Sequence, residues 1–240
     1  CYTFFFNSIT FIYLRMQKLP VLLDLDVHLF SKNPESTAFG KKIVEQSIVM
    51  IDSLGFEAFT FKKLGDNIGS NESSIYRYFK SKHALLLYLF NWYWSWIECN
   101  LVFTTNNINN AEEKLSRSIQ LLCKGIQNEN NIPNNNKVLL NRIIVSESVK
   151  VYLTKDIDSE NEKGYFKTYK RVVQRLSEFL LDINPDFKYP HMLVSTVIEG
   201  IHHQQFFSEH LPALTDVEEG QNSILTFYTN LVFKAIQDED

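Results

Sequence analysis

The chain has 240 residues, of which 45% are hydrophobic, 14% aromatic and 22% charged, a balance that suits a folded protein with a sizeable core and excludes a largely disordered or collagen-like chain. Its 24 Lys and Arg against 28 Asp and Glu leave a net charge of −4, so any nucleic-acid surface has to be local. With only 8 Gly and 6 Pro, long helices are favoured over a many-turned β-sandwich.

Residues 1–35 read as an amino-terminal extension. Phe4, Phe5, Phe6, Phe11, Ile12 and Leu14 precede the first basic residue, Arg15, and the first methionine is Met16. A secretory signal carries its charge earlier and ends in small residues, so a start-site extension is expected rather than an export signal. Cys1, Cys99 and Cys123 lie far apart with no metal-finger spacing, as expected of reduced thiols in a cytoplasmic protein. The apolar run from Ala84 to Ile97 is short and interrupted by Asn91 and Ser95, so no membrane span is expected.

Between Thr37 and Leu54, Ile43, Ser47, Met50, Ile51 and Leu54 recur at helical spacing, and Gly55 supplies the stop. Thr60 caps a short second helix from Phe61 to about Ile68, punctuated by Gly69. A third helix starts at Asn71 or Glu72 and runs to Phe79, with Ile75 and Phe79 as inward anchors. Ser81 caps a fourth, longer one. Two short helices around a glycine-bearing turn, braced by a longer helix, describe a helix-turn-helix. Residues 36–85 hold seven basic and five acidic side chains, a weak local positive balance that agrees with this use.

Phosphate contacts supply most duplex affinity and base-edge contacts the discrimination. Thr60, Lys62, Tyr76 and Lys82 are the expected phosphate ligands, with Tyr78 either sharing the role of Tyr76 or staying in the core. Asn71, Ser73, Ser74 and Arg77 are the base-edge candidates, because Asn suits adenine, Arg suits guanine and serine hydroxyls suit several partners. Glu72 either accepts from cytosine or is a helix-terminal charge in solvent.

The stretch Gly55-Phe56-Glu57-Ala58-Phe59-Thr60-Phe61-Lys62-Lys63-Leu64, with Ser74-Ile75-Tyr76-Arg77-Tyr78-Phe79-Lys80-Ser81-Lys82-His83-Ala84-Leu85-Leu86, resembles the DNA-binding domain of TetR-type transcriptional regulators. The resemblance covers about residues 38 to 90; Gly65 and Ile68 stand where similar proteins commonly have alanine, and Glu72 where a basic residue is frequent. It implies an all-α dimeric repressor. A three-helix DNA-binding domain (36–85) would precede a helical effector-binding and dimerisation domain (86–240), and a small molecule would release a palindromic operator.

Beyond Leu85 the fourth helix is crowded with Tyr88, Phe90, Trp92, Tyr93, Trp94 and Trp96 and ends near Glu98, as a buried connector would. Asn-rich segments 104–110 and 128–136 bracket a fifth helix, opened by an Asn110-x-x-Glu113 capping box. Further helices are expected over 136–153, 159–181 and 190–207, and a last one from Asp216 behind a Thr215-x-x-Glu218 box. Val197 and Ile201 with Ile224, Phe227, Tyr228 and Leu231 form the expected dimer seam, a four-helix bundle between two copies. Candidate ligand contacts are Trp92, Trp96, Arg142, Glu147, Glu199, His202 and His203. Arg142 and Glu147 pair with each other or meet a charged effector. Glu199-x-x-His202 is half of a di-iron pattern with no second copy, so no metal or cofactor is expected and ligand hydrogen bonding or a satisfied core histidine is preferred. The alternatives are a helical-bundle metal enzyme and a partner-binding helical module that does not read DNA.

Overall fold

The computed structural model describes residues 30–125, 135–218 and 220–237. The apolar run at Phe4–Leu14, Cys1, and Asn128–Asn134 of the second Asn-rich segment lie outside them. The described chain is helical: α1 (Ala38–Leu54), α2 (Phe61–Ile68), α3 (Glu72–Tyr76), α4 (Lys82–Thr105), α5 (Ala111–Lys124), α6 (Asn135–Glu147), α7 (Val149–Tyr152), α8 (Ile157–Glu162), α9 (Lys167–Ile183), α10 (Pro190–His210) and α11 (Ser223–Gln237).

The caps expected at Thr60, Ser81 and Asn110 form, and Thr37 and Asn71 act as caps as well. Thr37, Thr60, Asn71, Ser81 and Asn110 each accept a backbone N–H three residues on, at 2.8–3.2 Å. The Asn110 box is half built, because the Glu113 carboxylate takes Arg117 at 2.6 Å instead of returning to the cap. α1 packs α2 and α3 around Ile43, Phe59, Leu64, Ile75 and Phe79, all fully buried. Residues ahead of position 36 pack here too: Pro34 is buried against α1, Ser31 N–H donates to the Tyr78 carbonyl, and the Phe30 ring meets Tyr88 edge-on.

α4 runs from this domain into the second, with Leu85 to Phe90 buried all round and the helix continuing to Thr105, seven residues past Glu98. It packs on α5 and α9, α10 covers α9 and α6, and α11 closes over α5 and α10. α3 stops at Tyr76, short of the expected Phe79, because the Tyr78 and Phe79 N–H groups both turn back to the Ile75 carbonyl, α10 runs on to His210, and further boundaries also differ from the sequence reading. The 136–153 helix is divided at Ser148, and the 159–181 helix at Gly164, whose φ of +83° favours glycine and ends α8. The last helix starts at Ser223 and not Asp216, because Thr215 donates to Gln204 at 2.6 Å and Glu218 accepts from Gln221, leaving neither for a cap.

The turn between α2 and α3 is tight. A Cβ on Gly65 would lie 2.6 Å from the Ser70 carbonyl oxygen, itself in the turn that donates Ser70 N–H back to Gly65. Alanine there gains about 0.5–1 kcal/mol of helix propensity but forces backbone apart at an overpacking cost of about 1–3 kcal/mol. Gly65→Ala is therefore expected to lower the urea midpoint, and a raised midpoint would show that the turn has room.

Candidate nucleic-acid interface and helical-domain site

Burial sorts α3 and the turn that follows it cleanly. Ile75, Tyr78 and Phe79 turn inward, and the Tyr78 hydroxyl shares a 2.8 Å hydrogen bond with Thr37. Asn71, Glu72, Ser73, Tyr76 and Arg77 are exposed and Ser74 is half-buried. Of the two tyrosines, Tyr76 is thus the rim residue: it is 49% exposed, with its ring edge-on to Phe61 at 5.1 Å. Asn71 spends its carbonyl oxygen on the Ser74 N–H and hydroxyl, both at 2.9 Å, which leaves its amide N–H groups to donate outward. Thr60 and Lys62 are exposed at the start of α2, the threonine oxygen already serving as a cap.

Lys82, the expected phosphate ligand, has intramolecular partners in the free chain. Its ammonium donates to the Phe56 and Glu57 carbonyls at 3.1 and 3.2 Å and sits 4.7 Å from the Phe56 ring centroid. Lys82 thereby ties α4 to the loop before α2. Glu57 is drawn into the same network by Lys150 at 3.0 Å, and the Lys150 hydrogen bond and charge hold its carboxyl below the usual range.

Arg142 and Glu147 do not pair with each other. Arg142 forms a two-pronged contact with Asp52 of α1 at 2.8 and 2.6 Å, and the buried Glu147 carboxylate accepts the Phe56 N–H at 3.3 Å. Both clamp α6 to the amino-terminal domain. Because the Arg142 side chain is half exposed, its ion pair is worth about 1 kcal/mol or less. Arg142→Ala should then leave the thermal midpoint nearly unchanged, while a large drop would mean that the clamp carries the domain junction.

In the helical domain, the half-buried Glu199 meets Tyr169, whose ring packs on Trp94 beside the buried His202, and His203 turns outward to stack on Phe207. The Tyr169 hydroxyl donates to Glu199 at 3.1 Å, and Tyr152 lies near enough to feel the same carboxylate. Burial, reinforced by that carboxylate, raises the pKa of both tyrosines. His202 is buried between Tyr93 and Trp94; desolvation, helped slightly by His203, pushes its pKa down to about 4. Among the described residues, the indole N–H of Trp94 and Nδ1 of His202 have no hydrogen-bond partner.

The aromatic residue at this spot is Trp94, not Trp92 or Trp96, which are half-buried elsewhere around α4. Its ring lies 4.4 Å from Tyr169. Sequence reading missed Trp94, Tyr152 and Tyr169; the equal spacing of Phe90–Trp94 and Trp92–Trp96 gave no signal to choose between the pairs. No three His, Cys, Asp or Glu side chains among the described residues group as a metal site would.

Val197, Ile201 and Tyr228, expected at a dimer seam, are at most 6% exposed within the single chain, so they belong to its own core. Ile224 is half-buried. The apolar side chains that α10 and α11 leave exposed are Met192 (66%), Phe227 (58%) and Leu231 (40%). No helix of the described residues is long and apolar enough to cross a membrane.

Residues 43–89 match the family model of bacterial regulatory proteins, tetR family. No curated protein matches the chain. Similar solved structures include AibR in complex with isovaleryl coenzyme A and operator DNA, 14% identical over 81% of this chain and 96% of that one, with a TM-score of 0.54. Another is the superantigen PfiT, 14% identical over 87% and 100%, TM-score 0.54. A third is a tetR-family regulatory protein from Rhodococcus RHA1, 12% identical over 84% and 96%, TM-score 0.52. At these identities the likeness is one of fold.

Proposed function

Because residues 43–89 make this chain a member of the tetR family of bacterial regulatory proteins, we propose that it is a cytoplasmic repressor that grips a palindromic operator as a homodimer and lets go when a small molecule enters its helical domain. The observation that carries the reading is the sorting of the third helix: Ile75 and Phe79 anchor it while Asn71, Ser73, Tyr76 and Arg77 stay free for a major groove. Base edges are assigned to Asn71, Ser73, Ser74 and Arg77, and phosphates to Thr60, Lys62 and Tyr76.

The effector is assigned to the Trp94, Tyr169, Glu199 and His202 cluster, where partnerless buried donors and acceptors favour a polar group among aromatic walls. Release follows by linkage: an effector that prefers the arrangement in which the clamps at Asp52–Arg142 and Phe56–Glu147 have shifted lowers operator affinity by the same free energy. Two copies pair through Phe227, Leu231 and Met192, so Phe227→Asp with Leu231→Asp is expected to give monomers by sedimentation velocity and to abolish cooperative operator binding.

Selection of duplexes from a random pool tests the core of this reading. An enriched palindrome with half-sites about one helical turn apart is expected, and Arg77→Ala should weaken its binding by about 1–3 kcal/mol while hardly changing random DNA. Failure of any duplex to enrich would end the proposal.

A further inference from the structure

A second polar recess lies between the two domains, away from the Glu199 cluster. One wall is the start of α4 with the residues before it, Lys80, Ser81 and His83; the other is α8 and its flanks, Asp156, Ser159, Glu160 and Lys163. Its volume is about 260 Å³, just below the range of about 300–1,000 Å³ that accommodates drug-sized molecules, so its occupant is smaller than those.

Glu160 is 93% buried, having 7% of its surface exposed. One carboxylate oxygen meets His83 Nε2 at 2.9 Å, and the other is buried without a hydrogen-bond partner among the described residues. A half-satisfied buried carboxylate leaves an acceptor whose desolvation nothing offsets, and a charged donor offsets it best. The facing wall has the opposite character. Lys80 is exposed there, and the first turn of α4, a helix of 24 residues, has amide groups its own carbonyls do not reach.

Lys80 and Lys163 balance Asp156 and Glu160 in the lining. A simple cation would leave the lysines uncompensated, and a simple anion would face the two carboxylates. We infer that this recess binds a small zwitterion, a primary ammonium joined to a carboxylate, with the ammonium on Glu160 and the carboxylate on Lys80 and the first turn of α4. Such a ligand bridges the helix that follows α3 to the second domain, so it stiffens the junction through which the third helix is oriented. The site is independent of the operator and effector assignments.

Isothermal titration of the full chain, without DNA, tests this directly. The probes are alanine, 4-aminobutyrate and 6-aminohexanoate, which vary the distance between charges, with butylamine and butyrate carrying one end each. Saturable binding of at least one amino acid is expected, about tenfold or more tighter than either one-ended probe. Glu160→Gln and the surface change Lys80→Met should each weaken it by about tenfold, with circular dichroism verifying the helical fold; Lys80→Met keeps the test decisive should Glu160→Gln not fold. Absence of saturable binding by all three amino acids, equal binding of butylamine or butyrate, or unchanged binding by folded variants would overturn the assignment.

Discussion

Replacing Trp94 with alanine is expected to destabilise the chain by about 3–5 kcal/mol, the range for removing a buried aromatic side chain. The indole is 1% exposed and touches Phe90, Tyr93, Tyr169 and His202 from four directions. These belong to α4, α9 and α10, so the cavity would open where three helices meet and could not close by moving one side chain. Denaturant unfolding should show a lower midpoint with little change in slope. Trp94→Phe separates packing from polarity. Because the indole N–H has no partner, losing it relieves a desolvation penalty of about 1–3 kcal/mol, and the phenylalanine variant should retain most of the stability. A phenylalanine variant as unstable as the alanine one would mean that the N–H is bonded in solution.

Acid should weaken the fold through His202. Its pKa lies at about 4 in the folded chain against an ordinary 6.5, so below neutrality the unfolded chain takes up a proton that the folded chain refuses. Stability from this group is complete above pH 6.5 and is lost progressively as the pH falls toward 4, a total of about 3 kcal/mol. Carboxylates titrate in the lower part of that window, so the informative quantity is the difference between proteins. His202→Gln, whatever its stability at pH 7, should show a flatter dependence between pH 6.5 and 5 than the parent. Parallel curves would place the imidazole in contact with water or with a hydrogen-bond acceptor that stabilises its protonated form.

The electrostatic clamps between the domains were partly legible. Arg142 and Glu147 were legible as charges needing a partner, but their partners, Asp52 and the Phe56 N–H, lie about 90 residues away in sequence. Spacing rules see neighbours three and four apart on a helix; they contain nothing about which surface two helices share. The same blindness explains Lys82, whose ammonium turned to the carbonyls of residues 56 and 57, and the misplaced start of α11, where Thr215 found Gln204 before it could cap.

What the amino-acid order settled alone is local in origin. The caps at Thr37, Thr60, Asn71, Ser81 and Asn110, the stops at Gly55 and Gly69, and the inward pair Ile75 and Phe79 all follow from a side chain and the backbone within about one turn of it. Those features suffice to specify a helix-turn-helix and its outward residues. The helical domain is another matter. Every face of α4 is apolar over Leu85–Phe90, so helical periodicity assigns no direction to Trp92, Trp94 or Trp96. Only the positions of α9 and α10 decided that Trp94 meets Tyr169 and His202, that Val197, Ile201 and Tyr228 fill the chain's own core, and that Phe227 and Leu231 remain outside. Burial is a property of how helices sit against one another, and an amphipathic stripe wide enough for two neighbours does not say which neighbour each residue will face.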